Sequence, residues 1–157
     1  MKFFRTIGLF LKWSTILSTW CLIGTVLIQI FSRFFLENTP PWTEEASRLF
    51  FIYAISFASG LAMKNNYYVH LDIFYRGFNI KTKRLIDTLV PVLILLLFSI
   101  TGIYSVKFVI LGIPERSPSM GISMAFVFFS MTIMSGFICF YLIHKIRKRI
   151  QKLNLWF

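Results

Sequence analysis

Apolar residues in this 157-residue chain gather in four long blocks, separated by short polar or basic stretches. The blocks run over about 13–31, 44–63, 85–111 and 122–143. Each reaches the roughly 20 residues that a helix needs to cross about 30 Å of hydrocarbon. In lipid every backbone N–H and C=O must be paired within the chain, so helices are the expected form. The pattern predicts an all-α integral membrane protein: one four-helix membrane domain over 1–157, with no room for a soluble domain.

The stretches between blocks carry their own pattern. Before the first block, Lys2, Arg5 and Lys12 alternate with Phe3, Phe4, Ile7 and Phe10. This reads as a basic amphipathic segment lying along the membrane surface before the chain turns in. No small-residue cleavage site follows the first apolar run, so an uncleaved first helix is expected rather than a signal peptide. Between the second and third blocks, Val69, Leu71, Ile73, Phe74 and Phe78 mix with His70, Asp72, Arg76 and Lys81. That mixture predicts a short amphipathic interfacial segment.

Composition agrees with the blocks: 57% of residues are hydrophobic and 18% aromatic, and mean hydropathy is +0.71. A soluble domain of this size needs more polar surface. The net charge of +11 raises nucleic acid as a partner, but its placement argues for the lipid bilayer instead. Thirteen lysines and arginines fall on the N-terminal stretch, the middle connection and the tail, against four (Arg33, Arg48, Lys107 and Arg116) on the other two connections and their flanks. The positive-inside rule then predicts both termini in the cytoplasm. Basic loops of this kind favour anionic headgroups, and no nucleic-acid partner is expected.

Proton and ion pathways need ionisable groups deep in the bilayer. The blocks carry none at their centres; Arg33, Glu44, Glu45, Arg48 and Lys107 lie near the ends, within reach of the interface by snorkelling. The histidines, His70 and His144, fall outside the blocks, whereas axial ligands of a buried haem are expected on facing helices within a bundle. Cys21 and Cys139 stand singly in apolar surroundings and read as packing residues. No catalytic, cofactor-binding or metal-binding constellation is present, and no enzyme is expected. Small residues recur at helical spacing instead: Ser14 and Ser18, Thr15 and Thr19, the series Ala54, Ala58 and Ala62 beside Ser56 and Gly60, and Thr132 with Gly136. Such stripes let helices approach closely, within the chain's own bundle or against another membrane protein.

The second block opens on "PWTEEASR", residues 41–48, which holds two of the six acidic residues. Pro40 and Pro41 bias the chain to an extended form. Thr43 suits an N-cap, and Glu44 and Glu45 then favour the positive end of the helix dipole. Arg48 shares a helix face with both carboxylates, and Trp42 suits the headgroup belt. A capped helix start accounts for most of this; the adjacent carboxylates with Arg48 leave a partner contact open.

Taken in order, Trp42, Glu44, Glu45, Arg48, the turn through His70 and Asp72, and the Ser117-Pro118-x-x-Gly121-Ile-x-Met124 run before the fourth block resemble the small membrane subunit of tripartite ATP-independent periplasmic (TRAP) transporters, the DctQ-like family. The resemblance covers roughly residues 5–145. One departure stands out. Counted from Arg48, the family's usual glycine falls at Ala58 and its usual histidine at Tyr68, whereas Gly60 and His70 stand two residues later and Asp72 is in frame. Either the loop carries a local shift or Tyr68 replaces the histidine. The resemblance implies a non-catalytic subunit in the bacterial inner membrane that braces a large, separately encoded, elevator-type membrane subunit. That subunit would carry the sodium and substrate sites, and a periplasmic binding protein would deliver an organic anion, a carboxylate or sugar acid. The candidate partner-contact or structural residues are Trp42, Glu44, Glu45, Arg48, Asp72, Ser117, Pro118 and Gly121. The other class left open is an independent small membrane protein, a homo-oligomeric channel or an electron-carrier anchor.

Overall fold

The computed structural model describes residues 2–35, 40–64 and 79–154. Four helices account for most of them: α1 (Lys2–Phe35), α2 (Trp42–Lys64), α3 (Ile80–Leu111) and α4 (Ala125–Asn154). Each contains a stretch long and apolar enough to cross a membrane: Phe4–Phe35, Trp42–Lys64, Thr88–Leu111 and Ala125–Lys148. The expected all-helical, four-span architecture is the one observed. The expected interfacial segment falls mainly on residues 65–78, outside the described residues.

The helices extend beyond the apolar blocks at several ends, and two of the starts change the sequence reading. The first helix starts at Lys2 and continues through Trp13, so the basic N-terminal stretch is the first three turns of α1 and not a separate surface segment. Phe4, Ile7 and Leu11 keep the three- and four-residue spacing of a helix face and spend it on tertiary packing. Phe4 stacks on Phe140 at 5.4 Å and lies 4.2 Å from the His144 ring, so α4 holds the start of α1 in line. The fourth helix begins at Ala125, three residues later than expected, because Ile122–Met124 are taken up by the α3–α4 connection.

The helices pack in the order α1–α2–α4–α3. Leu11, Met63, Ile138, Tyr141 and Leu142 form the buried core, at the end where α1 begins and α2 ends. Gly60 allows a close approach: a Cβ there would stand 2.9 Å from Phe137 Cβ and 3.3 Å from Leu11 Cδ1. Three helices therefore meet where a side chain is missing.

The α3–α4 seam is lined by hydroxyls. Ser105 and Ser135 are buried, Ser105 and Thr132 share a hydrogen bond at 3.0 Å, and a Cβ on Gly102 would stand 3.2 Å from Ser135 Oγ. The serine hydroxyls also bond their own helix backbone, Ser105 to Gly102 O at 2.8 Å and Ser135 to Met131 O at 2.9 Å. Part of the small-residue pattern is thus spent inside the bundle. The close contact in α2 is made by Ser56 and Gly60 more than by the alanine series, of which Ala54 is buried and Ala58 and Ala62 are half-buried. Gly136 faces outward with nothing within 4 Å of a built Cβ. In α1, Thr15 and Thr19 bond the carbonyls of Leu11 and Thr15 in their own helix.

The outer helices leave large apolar side chains uncovered. Trp13, Leu17, Trp20 and Leu27 on α1, and Leu93, Leu97 and Ile103 on α3, are all more than half exposed. Such a surface has no place in water and is ordinary against lipid or another membrane protein.

Candidate partner-contact site: a carboxylate clasp between α2 and the α3–α4 loop

The N-terminus of α2 and the α3–α4 connection meet at the end of the bundle opposite the core cluster. After Pro40 and Pro41 the helix starts at Trp42. Thr43 is fully buried, and both its backbone N–H and its hydroxyl donate to Pro40 O, at 3.2 and 2.8 Å. The hydroxyl thus acts as a donor back to the preceding turn and not as the acceptor that an N-cap supplies. The expected role of Thr43 is corrected accordingly: it fastens the first turn to the proline segment.

The two adjacent carboxylates have different partners. Glu44 accepts from Arg48 Nη2 at 3.1 Å, with both side chains mostly exposed. Successive residues on a helix are about 100° apart, so Glu45 faces elsewhere. It accepts from Ser117 Oγ, from the Ser119 backbone N–H at 3.1 Å and from the Met120 N–H at 2.9 Å. Arg48, which spacing alone places within reach of both, pairs with Glu44.

The loop that receives Glu45 is itself closely bonded. Ser117 N donates to Ile122 O at 2.8 Å, Gly121 N to Ser117 O at 3.0 Å, and Met124 N to Glu115 O at 3.0 Å. Gly121 has φ of 65°, the left-handed region where a Cβ is strained. Pro118 fixes φ between Ser117 and the two N–H groups that face the carboxylate. Successive backbone N–H groups in a turn make a concavity for an anion, and here the chain's own Glu45 fills it. At the loop base, Ser123 Oγ bonds Gly112 O at 2.9 Å and Ile113 O at 3.1 Å, and accepts from Ala125 N at the start of α4.

A second tie lies deeper: Tyr53 OH donates to Phe126 O at 2.8 Å, joining α2 to the first turn of α4. Between the two ties an apolar groove of about 440 Å³ opens, with Leu49, Phe50, Met120 and Phe126 in its walls.

Of the residues singled out from sequence, Glu45, Ser117, Pro118 and Gly121 come together in this clasp. Trp42 is exposed beside it, Glu44 and Arg48 form a separate surface pair, and Asp72 lies outside the described residues. Tyr53, Ser119, Met120 and Ser123 carry parts of the arrangement that sequence reasoning missed. Ser119 and Met120 contribute backbone N–H groups, which leave no side-chain signature; the tyrosine inside an apolar block was the one available signal.

The model of the DctQ component of tripartite ATP-independent periplasmic transporters matches residues 22–152, which include the whole clasp. The chain belongs to the DctQ family. A relative in Haemophilus influenzae (strain ATCC 51907 / DSM 11121 / KW20 / Rd), named "Putative TRAP transporter small permease protein", is 23% identical over 133 residues, covering 85% of this chain and 81% of the relative. This DctQ-family chain is thus a small membrane subunit of a TRAP transporter, and its four apolar helices make it a multi-pass membrane protein. Membership also gives the Glu45–Ser117 contact a setting: both residues stand among those on which the resemblance rests, 72 positions apart in the chain.

Proposed function

We propose that this subunit acts as a non-catalytic brace for a large elevator-type membrane subunit. The complex would carry out sodium-coupled uptake of an organic anion, a carboxylate or sugar acid, delivered by a periplasmic binding protein. Sodium and substrate would bind the large subunit. The observation that carries this reading is the way the bundle is tied. The apolar core and Gly60 hold one end, the Glu45 clasp and Tyr53 hold the other, and the outward faces of α1 and α3 stay apolar and uncovered. A body closed at both ends with apolar flanks suits a fixed scaffold element better than a moving one. Family membership supports an inner-membrane location, and the charge distribution supports cytoplasmic termini with the clasp on the periplasmic side.

Copurification tests the central claim. The tagged chain, extracted from its native membranes, is expected to bring down a large multi-span protein; its absence would sink the bracing role. Ion flux through liposomes holding only the pure chain would point instead to a channel. Orientation is tested by a membrane-impermeant thiol reagent on variants lacking Cys21 and Cys139. Ser119→Cys should react in intact spheroplasts and Lys152→Cys only after permeabilisation; the reverse pattern overturns the assignment.

A further inference from the structure

The end of the bundle opposite the clasp gathers positive charge from three helices. Phe4 packs against Phe140, Tyr141 and His144, which brings the start of α1 alongside the last turns of α4. Arg5 follows Phe4 and is exposed. On α4, Lys145 and Lys148 lie four and seven residues beyond Tyr141, so they continue the face that meets α1, and both are exposed. From α2, the Lys64 side chain crosses Gly8 of α1, where a built Cβ would collide with it. Hydrophobic contacts therefore hold Arg5, Lys64, Lys145 and Lys148 around one seam. Like charges so gathered repel one another. The described acidic side chains, Glu44, Glu45 and Glu115, are all at the other end, as is the ion pair among the described residues. The buried hydroxyl of Tyr141, on the same seam, also has no hydrogen-bond partner among the described residues.

We propose that this seam is a binding site for an anionic phospholipid, with the headgroup phosphate between α1 and α4. The surface next to the cations selects a lipid over a free phosphate ion. Leu9 is 48% and Trp13 66% exposed, on the same side of α1 as Arg5 and Lys12, and they offer acyl chains an apolar track directly below the charges. Basic pockets between membrane helices are a recurrent site for anionic headgroups. The bound phosphate neutralises the seam and joins α1 to α4, where none of the described acidic side chains does so.

Native mass spectrometry of the full chain in detergent tests the site, with cardiolipin, phosphatidylglycerol, phosphatidylcholine or inorganic phosphate added at matched concentrations. Wild type should retain the two anionic lipids and not phosphatidylcholine or phosphate. Arg5→Gln with Lys145→Gln and Lys148→Gln should weaken retention by about tenfold or more, given about one favourable contribution per cation. Lys145→Arg with Lys148→Arg, which keeps the charges, should bind like wild type, as should Arg33→Gln with Lys107→Gln at the other end. Equal retention of phosphatidylcholine, displacement by inorganic phosphate, an unaffected triple variant, or equal loss in the Arg33 and Lys107 variant each overturns the proposal.

Discussion

Glu45 offers one carboxylate to three donors from the α3–α4 loop, whereas Glu44 meets a single exposed guanidinium. Removing Glu45 strands a buried serine hydroxyl and two backbone N–H groups; removing Glu44 strands nothing buried. Glu45→Ala should lower the melting temperature of the purified protein by several degrees, and Glu44→Ala should leave it within error. The double variant should match Glu45→Ala alone, because the carboxylates do not share a partner; a clearly larger loss in the double variant would show that they act as a unit. At Gly121 the positive φ makes any Cβ costly, so Gly121→Ala should destabilise by about 1–2 kcal/mol in chemical denaturation. That cost should be smaller with an asparagine, which tolerates the left-handed region better than alanine. The identities of these residues were visible in sequence. Which of two adjacent glutamates reaches a loop 72 residues away was not, since rotation about the helix axis is fixed by packing.

At the scale of elements, Gly60 and Gly136 make a controlled comparison. Both are helical, but a Cβ on Gly60 strikes Phe137 at 2.9 Å whereas one on Gly136 meets nothing within 4 Å. Gly60→Ala should cost about 1–3 kcal/mol through overpacking, more for Gly60→Leu. Gly136→Ala should be neutral or stabilising by up to about 1 kcal/mol from helix propensity. Thermal melts in one detergent check both; equal effects would mean that α1, α2 and α4 do not cross at Gly60. Small-residue spacing pointed to close packing but could not rank these glycines, because the spacing repeats along helices whose outward faces differ. The start of α1 shows the same limit. Its basic and apolar alternation fits a surface segment, and the contact of Phe4 with α4 decides for a continuous helix.

For the whole molecule, the packing order α1–α2–α4–α3 puts the longest uncovered apolar faces on the two outer helices. If the chain braces a larger subunit, a photo-crosslinking residue placed at Trp20 or at Leu97 should capture that subunit from at least one flank. Adducts to lipid alone from both positions would remove the bracing reading. The groove between the Glu45 and Tyr53 ties lies at the opposite end from the basic seam, so variants of one should not change the behaviour of the other.

Four spans, the helical class and membership of the family were determined by the sequence itself. Block length against bilayer thickness is a one-dimensional property, and so is the order of the motif residues. Tertiary structure alone decided how charge and polarity are shared out. It sent Glu45 and not Glu44 to the loop, turned Thr43 into a donor to Pro40, and drew cations from three helices to one seam. Those outcomes depend on helix rotation, antiparallel neighbours and backbone N–H groups in a turn, none of which is written in the spacing of side chains along the chain.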